Sequence, residues 1–516
     1  MKPKAHLVRS GTVLTLAAVM ISLSACSGGS GGAASNGEAT TTLKLGVGAA
    51  PASFDPTQIE NNGNALELAQ PVYDSLLRRA PNGDIQPWLA KDWKYNDNKT
   101  QLTLDLRDDV TFSDGTKFDA KSAADNLDRF KAKGGPQASM LADVSNVAAA
   151  DADTVTLTLT QPNPALASYL TTVAGLQVSP ASFDNPSLAT EPAGSGPYKL
   201  DTAATTSGSI YTYTARDNYW NKDAVKFNKI EIRVLTDPSA MANAFASGQI
   251  DAGPAAVGTL DQFKGSGAQV DTVEGDWAGF MMFDRTGRLS KPLGDVRVRQ
   301  AFNMALDKEA LLQTLQKGLG TVTAQIFSPE DPGYVPELDK KYSHDPQQAK
   351  KLLADAGYPD GIDVTMVAAS VTPADVLSVY AQQLAEAGIR VTWETQDINA
   401  FLGTMFSGKS AINPMQLGAK GGWEMINQLV APNAPWNPLK DQTPELEAMI
   451  KDVQFAADDA ARTAAVKKVN TYLVDNAWFA PWYRLASPYA SKADHVGVEM
   501  QYQQTLPSIY NFKPAS

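Results

Sequence analysis

For chemistry the chain offers three histidines, His6, His344 and His495, and one cysteine, Cys26, against 56 acidic residues. Two scattered histidines beyond the N-terminal stretch do not make a soft-metal site. They also leave the usual general base missing. G-x-S-x-G occurs once, at 28–32 in a Gly/Ser-rich stretch, and G-x-x-x-x-G-K-[ST] once, at 403–410. Either string carries chemistry only where a strand leads into it and a helix follows. Paired carboxylates remain open as a route to glycoside hydrolysis, although spacing singles out no pair. The other candidates are aromatic. Trp277, Trp423 and Trp436 lie in Gly-, Pro- and Asn-rich surroundings rather than in periodic patterns. An indole face stacks on sugar rings or flat ligands and gives a large contact area at small entropy cost. A tryptophan that plugs a domain edge would sit in the same surroundings. Trp88, Trp93, Trp220, Trp478 and Trp482 read as core.

At Cys26 the chemistry is attachment. Lys2, Lys4 and Arg9 precede an apolar run over 13–23 and then Leu23-Ser24-Ala25-Cys26. That is a positive n-region, a short h-region and small residues at a cut site. The run is too short for a permanent membrane-spanning helix. Leu-Ser-Ala-Cys resembles the bacterial lipoprotein signal, in which cleavage precedes the cysteine and a diacylglycerol goes onto its sulfur. The expectation is an extracytoplasmic protein anchored to the cell membrane by lipidated Cys26. Residues 1–25 would be the signal, and 26–42, rich in Gly, Ser, Ala and Thr, a flexible tether. The formal charge is −12, and loss of Lys2, Lys4 and Arg9 takes it to −15. So acidic a surface argues against a nucleic-acid partner. No later stretch approaches a membrane-spanning length.

The elements that must position any site follow from periodicity. Alternation predicts strands at 43–47, 101–106, 154–159, 211–215 and 229–235. Helices are expected over 64–77, with Leu66, Ala69, Val72 and Leu76 on one face, and over 120–130. The second half alternates helix and strand. Asp295 caps a helix through Leu306, and Asp345-Pro346 and Gly357 bracket another. A helix over 374–386 leads through Gly388 into a strand at 389–395. Helical spacing over 445–474 predicts a long helix broken once or twice. Such alternation implies an α/β sheet.

Several segments, read in order, resemble bacterial extracellular solute-binding proteins of the family 5 type, the dipeptide-, oligopeptide- and nickel-binding components of ABC importers. They are Ser53-Phe54-Asp55-Pro56, Val72-Tyr73-Asp74-Ser75-Leu76-Leu77, the stretch 83–90, Leu106-Arg107, Val110-Thr111-Phe112-Ser113-Asp114-Gly115, Gly194-Ser195-Gly196-Pro197-Tyr198 and Asn218-Tyr219-Trp220. Ser247-Gly248-Gln249-Ile250-Asp251, the stretch 295–301, Ala349-Lys350-Lys351-Leu352-Leu353 and Ala356-Gly357-Tyr358 complete the set. The resemblance implies a bilobal, type 2 periplasmic-binding-protein-like α/β fold with an extra β-rich subdomain in the first lobe. Lobe I would comprise 43–70, 190–283 and 481–516, the subdomain 71–189, and lobe II 284–480. It also implies a monomer without cofactor or metal that traps ligand between hinged lobes and serves a membrane permease. Most of the quoted blocks read as turns, caps and packing positions.

In peptide-binding members of the family a second-lobe loop carries Trp-x-x-Asp, whose aspartate holds the ligand's α-ammonium. The matching stretch here puts Leu417 at the tryptophan position and Lys420 at the aspartate position. A cation cannot hold an ammonium. The resemblance therefore implies a neutral or anionic solute, such as a sugar conjugate, an opine-like compound or a modified peptide. Under a shifted alignment Glu424 takes the aspartate's part and an ordinary peptide fits. Nickel-binding members use a histidine and arginines. The stretch 169–180, where one such arginine is expected, has none, and neither His344 nor His495 falls in a matching loop. Phe54, Asn62 and Asn64 are candidates for the first-lobe wall, and Asp284 either tunes the cleft or caps a turn. Two other functions stay open: a carboxylate-dependent extracellular hydrolase, and a surface peptide receptor or chaperone without transport.

Overall fold

A computed structural model describes residues 41–60, 63–418 and 420–515. The expectations for the signal, Cys26, most of the tether and Asn62 fall outside the described residues.

The first strand, Thr42–Val47, alternates as its sequence demands, with Leu43, Leu45 and Val47 buried. It pairs in parallel with Lys229–Val234 inside a nine-stranded sheet. Ile210–Ala215 and Tyr198–Leu200 continue that sheet on one side. On the other side lie Ala252–Pro254, then the long strands Phe479–Ser491 and Gln269–Met282, then Ile412–Gly418.

A second sheet joins Ala90–Tyr95, Gln101–Leu106, Thr154–Leu159 and Val144–Ala149 in antiparallel order. Leu102, Leu104 and Leu106 face its core, and the helix Ala120–Lys133 covers it. Reciprocal capping by Asp119 and Ser122 starts that helix, and left-handed Gly134 ends it. In the second half, Ile362–Ala369 and Ile389–Gln396 pair in parallel through the crossover helix Ala374–Glu386. They belong to a separate core built on Phe280, Phe302, Met366, Leu384 and Trp482.

Three expectations change. The helix predicted over 64–77 stops at Ala69, because Pro71 lacks an N–H and its ring opposes the preceding turn. The pattern over 445–474 is two helices, Pro444–Gln454 and Asp459–Asp475, the second capped by Asp458. Trp277 is not in a loop but inside the 14-residue strand Gln269–Met282. That strand is buried on both faces over 277–282, so alternation is lost. Its partner contains Pro481 and Pro488, which argue against a strand. Pro481 sits at an irregularity in the register opposite Gly279. A Cβ on Gly279 would lie 2.5 Å from the Ala480 carbonyl oxygen.

The quoted family blocks interlock at Asp74. Its buried carboxylate accepts from Trp88 Nε1 at 2.8 Å, Tyr219 Oη at 2.8 Å, Trp220 Nε1 at 3.1 Å and Tyr510 Oη at 3.0 Å. One acid thus ties the segment after the first helix to the middle of the chain and to its C-terminus. Among the described residues, no helix is long and apolar enough to cross a membrane.

Candidate functional site

The helix Asn64–Ala69 brings Asn64 to the wall of a cavity of about 510 Å³. Asn64 Oδ1 accepts from the backbone N–H of Gly48 at 3.2 Å, which fixes the amide at the helix start. Arg79, Gln137, Ser168 and Thr172 form the next wall. Lys420, Gly421 and Glu424, at the start of the helix Gly422–Leu429, and Gln428, near its end, line the cavity as well. Gly275, Asp276 and residues 502–506 also belong to the lining.

Asp331 anchors the helix Gly422–Leu429 from outside. It accepts from Gly422 N at 2.7 Å and from Gly333 N at 2.6 Å, and burial pushes its carboxyl up to about 6. Glu424, in the first turn, is favoured by the helix dipole. It accepts from Ser168 Oγ, which in turn accepts from Arg79. The Arg79 guanidinium also lies 3.8 Å from Glu424. This chain crosses the cavity from one wall to the other. Further along the same divide, Gln454 Nε2 donates to Pro162 O at 2.9 Å, and Lys99 Nζ donates to the carbonyls of Ala456 and Ala457, each at 2.8 Å. Lys420, half-buried, makes no ion pair among the described residues.

A second cavity, of about 830 Å³, shares Gln137, Lys420, Glu424 and Gln428 with the first. Its wall includes Tyr169, Phe406, Trp423 and Trp436. Trp436 packs edge-on against Phe406 with ring centroids 5.0 Å apart. Trp423 is buried, and its Nε1 has no hydrogen-bond partner among the described residues. Polar groups of both charges, an amide wall and an aromatic annex suit reversible capture of a polar solute.

The structure therefore brings Asn64, Lys420, Trp423, Trp436 and Glu424 to one pair of adjoining cavities. Phe54 is instead in the core, edge-on to Tyr211 at 5.6 Å. Trp277 is also buried there, against Phe479 at 5.8 Å. Neither lines these cavities. Asp284 caps a turn, accepting from the backbone of Arg288, Leu289 and Ser290 at 2.8, 2.6 and 2.7 Å. His344 lies near Asp307 and His495 near Asp251, away from both cavities. The sequence reading missed Arg79, Ser168, Asp276 and the segment 502–506. Two signals were available: Glu274 and Asp276 flanking Gly275 just before the apolar run 277–283, and the polar series Gln501-Tyr502-Gln503-Gln504-Thr505.

The family model described as "Bacterial extracellular solute-binding proteins, family 5 Middle" matches residues 84–425. Over 542 residues the chain is 26% identical to the nickel-binding periplasmic protein of Escherichia coli (strain K12), across 96% of this chain and 99% of that one. Its fold is similar to that of DppA, the ABC transporter-associated periplasmic binding protein from Helicobacter pylori, in complex with peptide STSA. That match has a TM-score of 0.77 and 21% identity, and covers 92% of this chain and 99% of the other. It is also similar to the PBP AgaA from A. tumefacien R10 in complex with agropinic acid, with TM-score 0.76, 23% identity and the same two coverages. Fold and cleft together define a bilobal solute-binding protein of ABC importers. The chain belongs to the bacterial extracellular solute-binding proteins, family 5.

Proposed function

We propose that this protein is a monomeric, lipid-anchored receptor, without chemistry of its own, that captures a small solute carrying an anionic group and delivers it to a membrane permease. The observation that carries the ligand class is Lys420, a half-buried cation on the wall of the 510 Å³ cavity that makes no ion pair among the described residues. A partly buried cation is stabilised when a ligand supplies the opposite charge. The tryptophans of the adjoining cavity supply contact area for the remainder of the solute. Opine-like compounds, modified peptides and acidic sugar conjugates all have this character.

The test is a thermal-shift panel on the purified protein with opine-type conjugates, acidic and neutral sugars, dipeptides and nickel chelates. A ligand at 100 times its Kd stabilises by about 2.7 kcal/mol. Anionic solutes are expected to raise the melting temperature, and Lys420→Gln is expected to remove the rise. A shift confined to neutral sugars, or to peptides with undiminished affinity for Lys420→Gln, refutes the reading.

A further inference from the structure

Asp276 stands on the strand Gln269–Met282 just after a bulge, where the register with Phe479–Ser491 shifts between Glu274 and Asp276. Bulges re-aim side chains. Among the described residues its carboxylate has one hydrogen-bond partner, Gln416 Nε2 at 2.8 Å, and no cation. An ionised carboxylate accepts about four hydrogen bonds, so most of its capacity is unused. Burial holds the carboxyl above its ordinary range, the mark of an acid that a cation would stabilise. No fold requirement accounts for an acid here. The backbone pairing of Asp276 with Gly418 and Leu485 needs no side chain.

Asp276 also lines a third cavity, of about 420 Å³, whose lining does not include Lys420. Its wall is largely apolar, with Leu235, Met241, Val257 and Leu485 among the lining residues. Asp276 and Thr505 are the residues common to this cavity and the 510 Å³ one. Asp276, with Thr505, therefore stands where a largely apolar chamber adjoins a polar one that holds Lys420, a cation with no ion pair among the described residues.

We propose that Asp276 holds a protonated amine of the solute, whose apolar substituent fills the chamber of Leu235, Met241, Val257 and Leu485 while its anionic group faces Lys420. This inference rests on the cleft reading above and narrows it to zwitterions with a hydrophobic group beside the amine. It also moves cation recognition from the loop position now held by Lys420 to the strand Gln269–Met282.

Calorimetric titration of the purified protein tests it. The probes are leucyl-glutamate, an N-carboxyalkyl leucine, their N-acetyl or N-acyl counterparts, and acidic sugars without an amine. The free-amine probes are expected to bind. Loss of the amine's charge and Asp276→Asn are each expected to weaken binding about 30-fold or more, because a charged partner is left alone in a desolvated site. The two losses together should not exceed either alone. Equal affinity of Asp276→Asn for the free-amine probes overturns the proposal and leaves the cleft reading intact. Binding of acidic sugars alone does the same, as does silence of every amine probe. Binding that is insensitive to both Asp276→Asn and Lys420→Gln overturns the cleft reading itself.

Discussion

Glu67 offers a direct test of how burial works in this fold. It lies on the helix Asn64–Ala69, which places Asn64 on the cleft wall, and it is 2% exposed. Neither carboxyl oxygen has a hydrogen-bond partner among the described residues. Desolvation pushes the carboxyl from 4.5 up to about 8. The folded protein therefore keeps this proton at neutral pH while the unfolded chain releases it. Below pH 4.5 both states are protonated and Glu67 costs nothing by ionisation. As pH rises from 4.5 to 8 stability falls, by about 1.4 kcal/mol per unit. The loss is about 3 kcal/mol at pH 7 and about 5 kcal/mol above pH 8. Glu67→Gln, close in shape, has no such titration. Urea unfolding of both proteins, followed by tryptophan fluorescence from pH 4 to 9, reads the difference. The stability of the variant relative to the wild type should climb with that slope and level off above pH 8. A difference flat with pH would refute the reasoning, because it would mean that Glu67 ionises as easily inside the fold as outside.

Asp74→Ala strands four neutral donors at once, two of them on buried residues, and should cost at least about 3 kcal/mol, from about 1–3 kcal/mol for each buried donor left unsatisfied. A fall in urea stability of under about 1 kcal/mol would show that the donors find other partners. Nearer the N-terminus, Cys26→Ser is expected to abolish lipid labelling and to move the protein from the membrane fraction to the soluble extracytoplasmic fraction. Membrane retention of that variant would exclude the thioether anchor.

The parts of this molecule visible in the sequence are those where one face is dry and the other wet. Leu102, Leu104 and Leu106, or Leu43, Leu45 and Val47, alternate because water touches one side. Asp295 and Asp345 announce their helices because an unsatisfied first turn needs an acceptor, and each accepts a backbone N–H there. The strands Gln269–Met282 and Phe479–Ser491 gave no such signal. Burial on both faces erases the period, and Pro481 breaks the expected pattern at an irregularity that only pairing reveals. The family blocks were legible as blocks, yet the role of Asp74 was not, since its four donors come from positions 88, 219, 220 and 510. In the site, Lys420 and the two loop-flanking tryptophans, Trp423 and Trp436, stood out by type and setting. Arg79, Ser168 and Asp276 look unremarkable one at a time and gain meaning through their neighbours across the cleft.

The segment 502–506 supplies a wall of the cleft, and Ser508 and Tyr510 tie it back to Gln70 and Asp74. Ribosomes and export channels deliver a chain N-terminus first, so this wall arrives last. Until then the cavity stands open on that side and Asp74 lacks one of its donors. A chain that has not yet added this segment consequently has no finished pocket. The cleft wall at 502–506 thus depends on the same contacts that complete the shell of donors around Asp74, so binding and the seating of this segment are coupled.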